Sequence, residues 1–132
     1  MINNEEEMMI KFRAWDKKTK EYFHIYELWN SGTNPECFNF DGWTDNFGSN
    51  GRLKDIVIEQ FTGLKDVNGN EIYVGDIVHC KNEYQGTDYT GKVMFFNGGF
   101  CVWTGGFRNY VWEDMIPEII GNVHTNPELL ED

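Results

Sequence analysis

Three histidines, His24, His79 and His124, and three cysteines, Cys37, Cys80 and Cys101, are the side chains here best suited to metal binding or nucleophilic attack. Their spacing supports neither role. No two cysteines form a C-x-x-C pair, and no histidines stand at ligand or triad spacing. His79 and Cys80 are adjacent, so in a strand they point to opposite faces and cannot act on each other. The only serines, Ser31 and Ser49, lie in loop-like surroundings without a nucleophile-elbow pattern. The acidic pair Glu113-Asp114 reads as exposed turn residues rather than an acid–base couple. No catalytic residue is nominated, because catalysis needs a convergence that these spacings do not signal.

Asp66, Asn68 and Asn70 alternate in a way that invites a calcium reading. An EF-hand loop also needs glycine at its sixth position and a bidentate acid at its twelfth. Counted from Asp66, those places hold Glu71 and Ile77, so no metal is expected. Asn68-Gly69 reads instead as a tight reversal, since both residues tolerate positive φ. The Gly-Gly pairs at 98–99 and 105–106 bracket "FCVWT" as hairpin turns around one strand. They lack the register of a phosphate-binding loop, and no cofactor is expected.

One constellation keeps a functional reading. Trp103, Phe107, Tyr110 and Trp112 surround Arg108, a grouping able to stack a base or to grip a partner protein at a hot spot. Tyr84 and Tyr89 flank "QGTD" and would extend the same face. The competing reading is that these rings build a core and its rim. The candidate binding residues are therefore Trp103, Phe107, Arg108, Tyr110, Tyr84 and Tyr89.

The elements that must carry them are strands. Fourteen glycines against three prolines favour many tight turns. "MIKFRAW" alternates at strand spacing, "DKKTKE" is a polar turn, and "YFHIYELW" resumes the pattern, which together predict a β-hairpin. Residues 30–52 look irregular and aromatic, and such a segment should pack on a neighbour, in this chain or another copy. "LKDIVIEQF" fits a strand. Beyond the Asn68-Gly69 reversal, short runs separated by turns suggest a small SH3-like barrel. "TNPELLED" closes with a short helix or single turn. The expected fold is mainly β: a flexible acidic tail at 1–8, an N-terminal strand-rich lobe at 9–60, and an SH3-like barrel lobe at 61–132.

Eleven Lys and Arg against 22 Asp and Glu give a formal charge of −11. That field repels nucleic acid, so direct binding of DNA or RNA is disfavoured. It serves solubility, or else it lets the surface occupy a partner's basic groove. No apolar run long enough to span a membrane occurs, and the acidic start does not resemble a secretion signal. An odd number of unpaired cysteines suits reduced core thiols in a cytoplasmic protein.

Three stretches, "IKFRAWDKKTKEYF", "QFTGLKDVNGNEIYVGDIV" and "EIIGNVHTNPELLE", occur in this order, and with them the chain resembles the YopX family of phage and prophage proteins, found mainly in Gram-positive hosts. The resemblance implies a strand-rich accessory protein and carries over no catalytic residue. Residues 27–52 fall between the shared stretches. The expected function is non-catalytic binding of a host or bacterial-defence protein with a basic surface. The alternative is an oligomeric sponge that holds a nucleotide-like signalling molecule in an aromatic and Arg-lined pocket. In either case a homo-oligomer in the bacterial cytoplasm is expected.

Overall fold

The computed structural model describes residues 11–32, 40–82, 86–110, 112 and 115–131. The expected tail at 1–8, Cys37, Phe38, Tyr84 and the Glu113-Asp114 pair lie outside the described residues. The described chain is mainly β and carries no long helix. Among the described residues no helix is long and apolar enough to cross a membrane. The chain divides into two compact units, Ile10–Gln60 and Phe61–Asp132.

In the first unit, β1 (Phe12–Asp16) pairs antiparallel with β2 (Glu21–Phe23) through a turn at 17–20. The turn closes on Asp16, whose Oδ1 accepts the N–H groups of Lys18 and Thr19, while Lys20 takes φ +62. The hairpin does not continue to Trp29 as the alternation suggests. It ends at His24, and Ile25–Trp29 becomes β3, paired with β4 (Gly42–Asp45) and through it with β5 (Asn50–Arg52).

The segment at 30–52, expected to be irregular, thus includes two strands. Strand propensity hides them, because each carries a glycine at its centre of packing. The ring of Trp29 lies across Gly42 and that of Trp43 across Gly51; an added Cβ would sit 2.3 Å and 2.7 Å from them. An aromatic ring laid over a cross-strand glycine restores the contact area the glycine lacks. The partner of β1 on its other side is the first half of β6 (Ile56–Lys65), with Arg13 opposite Glu59.

In the second unit, the last residues of β6 pair with β7 (Glu71–Tyr73) around the Asn68-Gly69 reversal. A five-stranded antiparallel sheet then forms from β8 (Asp76–Asn82), β9 (Thr87–Phe96), β10 (Gly99–Trp103), β11 (Arg108–Asn109) and β12 (Pro117–Asn122). Its order is β11-β10-β9-β8-β12, and it curls into a half barrel. The inner face holds the core: Val78, Cys80, Val93 and Val102, with Ile72 and Met115 packed on them. The β9–β10 turn is Asn97-Gly98, both at positive φ, the conformation a right-twisted hairpin favours. The described chain closes with a single 3-10 turn, Pro127–Leu130, lying near β9.

Candidate binding face

Three side chains explain why the polar residues of the shared stretches stand where they do. Asp16 closes the first turn through the N–H groups of Lys18 and Thr19. Asp66, 7% exposed, accepts the N–H groups of Asn68 and Asn70 on Oδ1 and that of Ile119 on Oδ2. Asn122 accepts from the N–H groups of His124 and Thr125, and the space beside Gly121 admits the side chain of Asn126. A short carboxylate or amide that satisfies backbone donors at a turn mimics a turn of its own.

For Asp66, burial pushes the carboxyl up, but the hydrogen bonds from Ile119, Asn70 and Asn68 outweigh it and hold the group below its ordinary value. Asp76, also buried, accepts the N–H of Tyr73 at 2.8 Å and sets the bend at Gly75. These acids are occupied by backbone. Among the described residues no three His, Cys, Asp or Glu side chains gather where an ion could be held.

The outer face of the five-stranded sheet is different. Residues directly opposite on neighbouring strands share a face. Arg108 stands opposite Trp103, Trp103 opposite Lys92, and Lys92 opposite Ile77, which makes one row across β11, β10, β9 and β8, exposed at Arg108 and fully buried at Ile77. The Arg108 guanidinium lies 3.8 Å from the Phe96 ring centroid and 4.6 Å from that of Trp103. Held between two rings, the group gains cation–π attraction while its in-plane N–H donors stay unused by that contact. Tyr110 joins this group: its hydroxyl donates to the Phe96 carbonyl at 3.0 Å, and its ring covers Gly99. Burial, then the Cys101 thiol beside it, pushes the Tyr110 phenol up. Phe107 is 76% exposed in the loop that presents Arg108.

Trp103, Arg108 and Tyr110 are therefore brought together, with Phe107 beside them in sequence. Tyr89 is not with them. It stands opposite Cys80 on the inner face and packs on the core, where burial, then the adjacent Cys80, pushes its phenol up to about 12. Trp112 also packs inward and donates from Nε1 to the Phe100 carbonyl at 3.0 Å. Tyr84 lies outside the described residues. Phe96 and Lys92 escaped sequence reasoning, and only the strand register places them on this face.

The first unit holds a second cluster that the sequence reading missed. Glu59, 3% exposed, accepts from Arg13 Nε at 2.8 Å and from the Tyr22 hydroxyl at 2.9 Å, while the Arg13 guanidinium covers the Tyr22 ring. A cross-strand ion pair buried in this way braces the sheet, and the matching of Arg13 with Glu59 emerges only from register. On the neighbouring sheet, the Ser31 side chain, then its N–H, holds the Asp41 carboxyl below its ordinary value.

This geometry defines a mainly β scaffold whose shared polar residues serve its turns. The chain belongs to the YopX protein family, whose characteristic pattern spans residues 11–131. Its fold is similar to that in the crystal structure of protein EF1440 from Enterococcus faecalis, with a TM-score of 0.65 and 27% identity, covering 93% of this chain and 99% of that one. No curated protein matches the chain.

Proposed function

We propose that the protein acts by contact rather than catalysis, binding a host or bacterial-defence protein with a basic surface. One observation carries the reading. An exposed phenylalanine, Phe107, adjoins an arginine already ordered between Phe96 and Trp103. Aromatic and arginine anchors dominate binding energy at protein interfaces, and an arginine held in place loses less freedom on binding. The charge of −11 supports the choice of partner, since opposite fields accelerate encounter and exclude acidic competitors. In this reading the curled five-stranded sheet is of SH3-like kind, and the molecule works as a homo-oligomer in the bacterial cytoplasm.

The test is a capture from host lysate followed by binding kinetics with the purified partner. The association rate should fall as salt rises, and Arg108→Ala and Phe107→Ser should each speed dissociation at least tenfold, about 1.4 kcal/mol. A partner bound equally well by both variants would remove this face from the reading. Steady turnover of any substrate, lost on replacing one polar side chain, would overturn the non-catalytic reading as a whole.

A further inference from the structure

On the outer face of the five-stranded sheet, the row Arg108–Trp103–Lys92 divides at the indole. Arg108, on β11, occupies one side of the Trp103 ring. A groove of about 540 Å³ is lined by Thr90 and Lys92 of β9, by Trp103, Thr104 and Gly105, and by Leu129 and Leu130 of the terminal turn with Glu131 after it. That volume lies within the range of small-molecule sites, roughly 300–1,000 Å³. It belongs to a single copy of the chain. It shares Trp103 with the face proposed for protein contact but does not rest on that proposal.

The lining sets the ligand class. A tryptophan ring in the lining of a groove offers a stacking platform to a planar heterocycle. Lys92 is half-buried, and among the described residues its ammonium makes no hydrogen bond or ion pair. An ammonium in that position favours an anionic group on the ligand. Glu131, across the groove, is an acceptor suited to an amino edge of a ring. The net charge of −11 then decides how much negative charge the ligand carries. One cation beside one carboxylate, in an acidic molecule, suits a single phosphate and opposes a triphosphate.

We infer that this groove binds a nucleoside monophosphate, with its base stacked on Trp103, its phosphate on Lys92 and its amino edge toward Glu131.

Isothermal titration of the full chain with AMP, GMP, adenosine, ATP and inorganic phosphate tests the assignment. AMP or GMP should bind saturably, one per chain, more tightly than adenosine, phosphate or ATP. Lys92→Gln should weaken the monophosphate at least tenfold, an effect of the size expected for a lost charge-assisted hydrogen bond. It should leave adenosine unchanged, which separates charge loss from misfolding. Trp103→Leu should weaken the monophosphate and adenosine alike while circular dichroism stays that of the wild type. The inference is overturned if neither monophosphate binds saturably in the millimolar range. It fails equally if ATP binds more tightly than AMP, if Lys92→Gln binds as the wild type does, or if the stoichiometry is one ligand per two chains.

Discussion

The Asp66 carboxylate accepts a hydrogen bond from the backbone N–H of Ile119, 3.0 Å away in space and 53 residues further along the chain. With its other oxygen it holds the reversal at Asn68 and Asn70. One side chain thus ties a local turn to the edge strand of the five-stranded sheet. Its folded pKa lies below the ordinary value of 3.8, so its contribution to stability is complete above that value. The contribution is lost as pH falls through the lowered folded pKa. Asp66→Ala, which leaves three backbone donors unsatisfied, should destabilise at neutral pH by roughly 2–4 kcal/mol. The gap between variant and wild type, read from urea midpoints across pH, should be constant above pH ~5 and narrow below pH ~4. A gap independent of pH would deny the carboxylate this role.

Gly69 sits at φ +83, and an added Cβ there would meet nothing within 4 Å. Any cost of substitution is therefore conformational. Gly69→Val should destabilise by roughly 1–3 kcal/mol, whereas Gly69→Asn, which tolerates left-handed backbone, should cost well under half as much. Equal losses in thermal melts would contradict this. Because Asp66 spends both oxygens on backbone N–H groups, added calcium should leave the melting temperature unchanged.

Gly42 and Gly51 lie beneath tryptophan rings and not at turns. Gly42→Ala should cost about 1–3 kcal/mol by forcing the Trp29 ring off the sheet. In a Trp29→Leu background the same change should cost markedly less, giving a coupling energy of ~1 kcal/mol or more. Additive losses in denaturant midpoints would show that the ring does not cover the glycine.

Burial pushes the Cys80 thiol up to about 11 from 9.0, against a smaller opposing pull from its hydrogen bond with Tyr89. The protonated form is the one the fold favours. The resulting stability is complete below pH ~9 and declines as pH rises toward the folded value. Cys80→Ala should flatten that alkaline decline in a series of chemical melts. Modification of Cys80 by a disulfide reagent at pH 8 should follow the rate of global opening; fast labelling of the native protein would contradict the burial.

Much of the second unit is legible in the amino-acid sequence. Asn68-Gly69 marks a reversal, although only Gly69 takes positive φ there, and the glycines around "FCVWT" mark the strand between them, its first turn falling one residue early, at Asn97-Gly98. Alternation locates β8 and β9 but not which face each residue joins, because face assignment needs the register between strands. Hence spacing alone groups Tyr89 with residues from which the sheet separates it, and it passes over Lys92 and Phe96. In the first unit the loss is greater. "YFHIYELW" reads as one amphipathic arm, yet its halves enter different sheets at His24. The glycines at 42 and 51 read as loop because their compensation arrives from Trp29 and Trp43, in neighbouring strands, and local propensity does not report it.

The stacking of Trp29 on Gly42 imposes an order on change. A lineage that gains a methyl at position 42 while the indole remains must pass through a strained intermediate, whereas one that first trims the indole can then enlarge the glycine freely. The two codons should drift as a linked pair, ring first, and a collection of relatives sorted by ancestry should hold a small side chain opposite glycine far more often than an indole opposite alanine.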